Sequence, residues 1–297
     1  MARFGNVLTA MVTPFAADGR LDLGRAAELA QFLVANGNDG IVVAGTTGEA
    51  PTLTQDEQID LIRTVAKAVD VPVVAGTGSN DTRSAIGNTQ RAQDAGASAV
   101  LVVSPYYNRP SQAGLLAHFR AVAAATTLPV VLYDIPVRTG RKVETATLLE
   151  LARTVENVVA LKDAAGNPAE TARLIAEAPD GFEVYSGDDA LTLPLLAVGA
   201  VGVIGVATHW AGREHQEMIS AFHRGEVAVA RRINQRLLPS YAFETSNEAP
   251  NPIPSKVMMK VLGLDVGKGR APMDVVPDGL YSTAQNVLTR LAIGGSR

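Results

Sequence analysis

A lysine closes the apolar run Val158-Val159-Ala160-Leu161-Lys162. A side chain rising from the end of a buried strand loses water along its length, and desolvation disfavours the ammonium form. The neutral amine that results can attack a carbonyl carbon and form an imine. A lysine at a strand end can also lay its stem on apolar surface and keep its charge in solvent. Tyr133, at the end of Val130-Val131-Leu132-Tyr133, tips the reading toward chemistry. A phenol one strand away can move protons during imine formation or hold a bound hydroxyl; the alternative is a core aromatic with its hydroxyl tied to backbone. Gly45-Thr46-Thr47-Gly48-Glu49 supplies two hydroxyls and backbone donors ahead of a helix, which suits a carboxylate and also a capping turn. Arg138 follows the strand of Tyr133; its guanidinium can grip a carboxylate in two-pronged fashion or form a surface ion pair. Ser104 has no nucleophile-elbow context. His118, His209, His215 and His223 lack paired ligand spacing, and Asp188-Asp189 reads as a turn, so neither a metal nor an organic cofactor is expected.

These residues need a scaffold that gathers strand ends. Short, almost continuously apolar runs read as strands at Val7–Val12, Gly40–Ala44, Val73–Gly76, Ala99–Val103, Val130–Tyr133, Val158–Lys162, Glu183–Ser186 and Gly202–Ile204. Helical patterns lie between them. Asp22 stands as a cap before one, and Thr54 with Glu57 forms a capping box before another. Eight strand–helix units imply a parallel sheet closed into a (β/α)8 TIM barrel. An open doubly wound sheet wants a Gly-rich turn after its first strand, where Thr13-Pro14-Phe15 stands instead. In a barrel, chemistry sits at the C-terminal ends of strands. Thr46, Thr47, Tyr106, Tyr107, Tyr133, Arg138, Lys162 and Gly187 all fall in or just after those ends.

After about residue 226 the strand signal stops. The spacing predicts helices over Val227–Leu238, Ser255–Leu262 and Asn286–Ile293, with Asn251-Pro252-Ile253-Pro254 as a rigid connection. The expected division is a catalytic barrel over 1–226 and a small C-terminal helical domain over 227–297.

The 297 residues suffice for one barrel of roughly 250 residues plus an appendage. A formal net charge of −4 argues against a nucleic-acid partner, which calls for a basic face. No apolar run approaches the roughly 18 to 20 residues of a membrane span. Met1–Phe15 shows no cleavage-site pattern, and the absence of cysteine excludes disulfides and thiol chemistry; a cytoplasmic location is expected.

The chain resembles the dihydrodipicolinate synthase family, within the N-acetylneuraminate lyase superfamily. The likeness runs nearly end to end and rests on Thr9–Pro14, Gly45–Glu49, Ser104–Gln112, Tyr133–Gly140, Leu161–Asn167, Ser186–Ala190 and Asn251–Pro254, in that order. The resemblance implies that Lys162 forms a Schiff base with pyruvate. The derived enamine would attack L-aspartate 4-semialdehyde to give 4-hydroxy-tetrahydrodipicolinate, the first committed step toward diaminopimelate and lysine. It further implies a proton relay of Thr46, Tyr133 and Tyr107, the last from a neighbouring subunit of a homotetramer. Thr47 would bind the pyruvate carboxylate and Arg138 that of the semialdehyde, while Gly187 and Ile204 would line the pocket by backbone. Superfamily relatives share the lysine and tyrosine but act on longer hydroxy-keto acids; Tyr106-Tyr107 and Arg138 favour the short, carboxylate-bearing second substrate. A related pyruvate lyase is the alternative activity, and a keto-acid sensor without activity is the third reading.

One departure stands out. Lysine-inhibited members of the family place histidines where Gln55 and Gln58 stand here, and a glutamate at Ser84; Ala50 replaces a common serine, while Asn80 and Tyr106 remain. Losing the glutamate that would pair with the effector's ammonium costs about 1 to 3 kcal/mol. Weak or absent feedback inhibition by lysine follows.

Overall fold

Strands β1 (Val7–Ala10), β2 (Gly40–Val43), β3 (Val73–Gly76), β4 (Ala99–Val103), β5 (Val130–Asp134), β6 (Val158–Asp163), β7 (Glu183–Ser186) and β8 (Gly202–Gly205) follow one another around a closed barrel, every neighbouring pair parallel. This is the architecture of a computed structural model that describes residues 2–292. The helices are α1 (Leu23–Ala35), α2 (Gln55–Ala68), α3 (Thr82–Asp94), α4 (Gln112–Ala123), α5 (Pro136–Thr139), α6 (Thr145–Thr154), α7 (Pro168–Glu177), α8 (Thr192–Leu196), α9 (Thr208–His223), α10 (Val227–Phe243), α11 (Ile253–Val261) and α12 (Leu280–Leu291).

The strands read as unbroken apolar runs because both of their faces are covered. Leu8, Val42, Val74, Leu101, Val131, Ala160, Tyr185 and Ile204 fill the barrel interior. Outside, Leu29, Leu33, Leu61 and Val65 of α1 and α2 cover one side, and Leu115, Phe119, Leu151 and Leu174 of α4, α6 and α7 another. Both capping signals are realised: Asp22 accepts from the backbone of Arg25, and Thr54 and Glu57 form a reciprocal box at the start of α2.

Strand ends differ from the apolar runs by a residue or two. β1 stops at Ala10, yet Met11 and Val12 remain buried beneath the rim, so apolar character runs past the ladder. Conversely β5 and β6 each gain an aspartate, Asp134 and Asp163, that pair across the ladder. Helix α10 continues through Pro239 to Phe243. The proline forfeits a backbone donor, but burial of Leu237, Tyr241 and Phe243 on either side carries the helix past it. Helix α11 begins inside the Pro-rich segment, with Pro254 in its first turn, where a missing N–H costs nothing. Of the predicted helix Asn286–Ile293, α12 contains all but the last two positions and starts earlier; Ile293 lies outside the described residues, as do 294–297.

Helices α9 to α12 share an apolar cluster that includes Trp210, Met218, Leu237, Tyr241, Val257 and Leu288, so one core spans position 226. The indole of Trp210 donates to the Ser240 hydroxyl at 2.9 Å within it. No helix among the described residues is long and apolar enough to cross a membrane.

Candidate active site

Parallel strands in one barrel all end at the same rim, so residues at those ends converge. Lys162 and Tyr133 are the penultimate residues of β6 and β5 and stand opposite each other in the ladder. Neighbours in register share a face of the sheet, here the inner one. The Lys162 ammonium lies 4.5 Å from the centroid of the Tyr133 ring, and the lysine is 5% exposed. Burial lowers its amine to about 8; Asp189 and Glu244 oppose that shift and Arg138 adds to it. Burial pushes the Tyr133 phenol up to about 12, against the charge of Arg138 and a hydrogen bond with Thr46. At neutral pH the phenol therefore keeps its proton, beside an amine that readily loses one.

Thr46 and Thr47 belong to the loop after β2. It is folded on itself by Glu49 N–H to the Thr46 carbonyl at 3.0 Å and Ala50 N–H to the Gly45 carbonyl at 3.2 Å. Ala44 and Glu49 bracket it in left-handed conformations, φ 55° and 56°, a backbone strain of the kind held only where surroundings fix it. The approach of β3 demands a glycine there: a Cβ on Gly76 would stand 2.3 Å from the Ala44 carbonyl oxygen. Glu49 is buried and ion-paired to the equally buried Lys256 of α11 at 2.7 Å, and it accepts from the Arg270 backbone at 2.9 Å. The buried Thr47 hydroxyl accepts from the Asn251 amide at 2.9 Å.

Thr46, Tyr106, Tyr133, Arg138 and Asn251 line a cavity of about 550 Å³ at this rim, a size suited to a small ligand. Lys162 is not part of its wall; Tyr133, over whose ring the ammonium sits, is. Arg138 is exposed on α5, and among the described residues no carboxylate pairs with it. Gly187 abuts the lysine stem, where a Cβ would meet Lys162 Cγ at 2.9 Å. Ile204 is fully buried in the barrel interior with Tyr133. Tyr107 is not brought to this cavity: it is 90% exposed, with a left-handed φ of 71°.

Sequence reasoning gave several residues near the amine no part in the chemistry. Asp189 accepts from the backbone of Val206 and Ala207 at 2.8 and 3.1 Å, tying the loop after β7 to the end of β8. Burial, with the charges of Asp189 and Asp188, raises the Glu244 carboxyl well above its usual range. Asp189, at a strand end, read only as part of a turn, and Asn251 only as the start of a rigid connection; Glu244 lies on an irregular stretch with no local signal. Asp188 caps a short turn through Ala190, as its spacing suggests. The histidines have other partners: His118 meets the Thr82 hydroxyl, His209 bridges the Val206 carbonyl and the Val12 N–H, and His215 meets the Ala211 carbonyl, while His223 is exposed.

Comparison with known proteins gives the family. The model of the dihydrodipicolinate synthetase family matches residues 3–291. A 4-hydroxy-tetrahydrodipicolinate synthase from Bacillus subtilis (strain 168) is 49% identical over 91% of this chain and 93% of its own. One from Acidothermus cellulolyticus is 52% identical over 92% of this chain and 87% of its own. A crystal structure of dihydrodipicolinate synthase from Bacillus anthracis superposes with a TM-score of 0.93 at 45% identity, covering 97% of this chain and 99% of that one. A lysine-bound structure of the enzyme from Cyanidioschyzon merolae gives 0.95 at 42% identity, covering 99% and 100%. The chain belongs to the dihydrodipicolinate synthetase family.

Proposed function

We propose that this protein is a 4-hydroxy-tetrahydrodipicolinate synthase, a lyase that condenses pyruvate with L-aspartate 4-semialdehyde through a Schiff base on Lys162. The observation that carries the reading is a lysine amine lowered to about 8 by burial and set against the Tyr133 ring. The neutral amine attacks C2 of pyruvate, and loss of water gives the imine. Loss of a methyl proton turns the imine into an enamine, whose carbon attacks the aldehyde carbon of the semialdehyde. The substrate's own amine then displaces Lys162 as the ring closes. Each step moves a proton, and the protonated Tyr133 phenol in contact with Thr46 is the carrier, completed by Tyr107. Thr47 holds the pyruvate carboxylate, Arg138 that of the semialdehyde, and Gly187 and Ile204 shape the pocket with their backbones.

Tyr107 does this work from a second subunit. Its exposure, and that of Val137 at 86%, leave apolar surface beside the rim that subunit packing would cover, within a homotetramer. The reaction belongs to diaminopimelate and lysine biosynthesis, and a cytoplasmic location goes with it.

Pyruvate plus borohydride should fix one adduct on Lys162, located by peptide mass spectrometry, and Lys162→Ala should abolish it. Turnover of aspartate semialdehyde, with none of sialic acid, separates the synthase from a related lyase. An adduct on no lysine would sink the imine mechanism.

A further inference from the structure

The C-terminal segment reaches into the barrel mouth and touches one of the two hydroxyls proposed to meet substrate. Asn251 lies 204 residues from Thr47 in sequence, lines the same cavity as Tyr133 and Arg138, and donates from Nδ2 to Thr47 Oγ1 at 2.9 Å. Both residues are buried, at 8% and 3% exposure. The segment cannot drift: five residues on, Lys256 is ion-paired to Glu49, two residues from Thr47, and the Arg270 backbone donates to the same carboxylate.

We infer that Asn251 is a positioning residue for pyruvate, holding the Thr47 hydroxyl so that its proton faces the substrate carboxylate. A hydroxyl has one proton and two lone pairs. Asn251 Nδ2 occupies a lone pair, which leaves the proton for another acceptor, and a carboxylate is the acceptor this reaction presents. Were the amide turned about, Thr47 would spend its proton on Asn251 Oδ1 and offer the carboxylate lone pairs alone. The neighbouring Thr46 hydroxyl is engaged with Tyr133. Two adjacent threonines thus serve separate tasks, and a residue from the helical segment assigns one of them. Among the described residues Asn251 Oδ1 is buried without a partner, and the bond to Thr47 is the one hydrogen bond its side-chain amide makes.

The inference rests on Thr47 binding the pyruvate carboxylate, and a double-mutant cycle separates the two ideas. KM for pyruvate and kcat are measured for the full-length enzyme, Asn251→Ala, Thr47→Val and the pair. Asn251→Ala should raise KM about tenfold with kcat within about twofold, the worth of one oriented hydrogen bond to a charged group. In the Thr47→Val background the same change should leave KM unaltered. Equal KM increases in both backgrounds, or a fall in kcat at constant KM, would overturn the role of Asn251. No KM change in Thr47→Val alone would overturn the carboxylate assignment and the inference with it. Asn251→Leu, which keeps the branch at Cγ and has no hydrogen bonds to offer, supplies the same cycle should Asn251→Ala not fold.

Discussion

The pH dependence of imine formation follows from one number. With its amine at about 8 instead of the ordinary 10.5, Lys162 is about 9% neutral at pH 7, against roughly 0.03% for an ordinary lysine, a gain of about 300-fold in the reactive form. Single-turnover trapping with pyruvate and borohydride across pH 6 to 10 should show a rate that rises tenfold per pH unit and levels off above about 8. The same burial has a thermodynamic side. A folded-state value below that of the unfolded chain means the unfolded state binds more protons between pH 8 and 10.5. Stability therefore rises with pH through that window and is lowered in full beneath it. Moving the amine from its ordinary 10.5 to about 8 amounts to about 3 kcal/mol, present in full at neutral pH. Lys162→Met should accordingly bind no pyruvate covalently, unfold later in urea at pH 7, and lose that advantage by pH 10.5. A trapping rate that keeps climbing past pH 9.5, together with a Met variant no more stable than the parent at pH 7, would refute the claim that burial activates the amine.

Other consequences are shorter. His209, fully buried and lowered to about 4, costs stability as pH falls from 6.5 toward 4, because the unfolded imidazole takes up a proton first; the loss should approach about 3 kcal/mol and flatten in His209→Gln, read from urea titrations at several pH values. Glu49→Ala strands the buried Lys256 ammonium and should destabilise by about 3 to 5 kcal/mol, seen as a drop in Tm, whereas Glu49→Ala with Lys256→Met should recover much of it. Gln55, Gln58, Ser84 and Tyr106 line the cavity beside Thr46, so lysine is expected to inhibit weakly or not at all, and Ser84→Glu to increase sensitivity. Strong inhibition of the unaltered enzyme at low lysine concentration would contradict this.

Much of the site was legible because a barrel converts sequence position into spatial position. Once Val130–Tyr133 and Val158–Lys162 are read as parallel strands, Tyr133 and Lys162 must meet at one rim, and they do. The loop with Thr46 and Thr47 was legible for the same reason. The extent of β1 was not, since Met11 and Val12 are as apolar outside the ladder as inside it. The course of α10 through Pro239 was hidden because packing from both sides overrode a local breaker.

The sequence by itself determined the alternation of strand and helix, the rim on which reactive groups gather, and which side chains could form and protonate an imine. These are short-range properties, carried by periodicity and residue type. Only the tertiary structure decided how dry Lys162 is, that Asp189 and Glu244 act upon it, and that Asn251 and Lys256 reach back to Thr47 and Glu49. Burial and electrostatic shift are sums over neighbours brought from far along the chain, and no local pattern contains those terms.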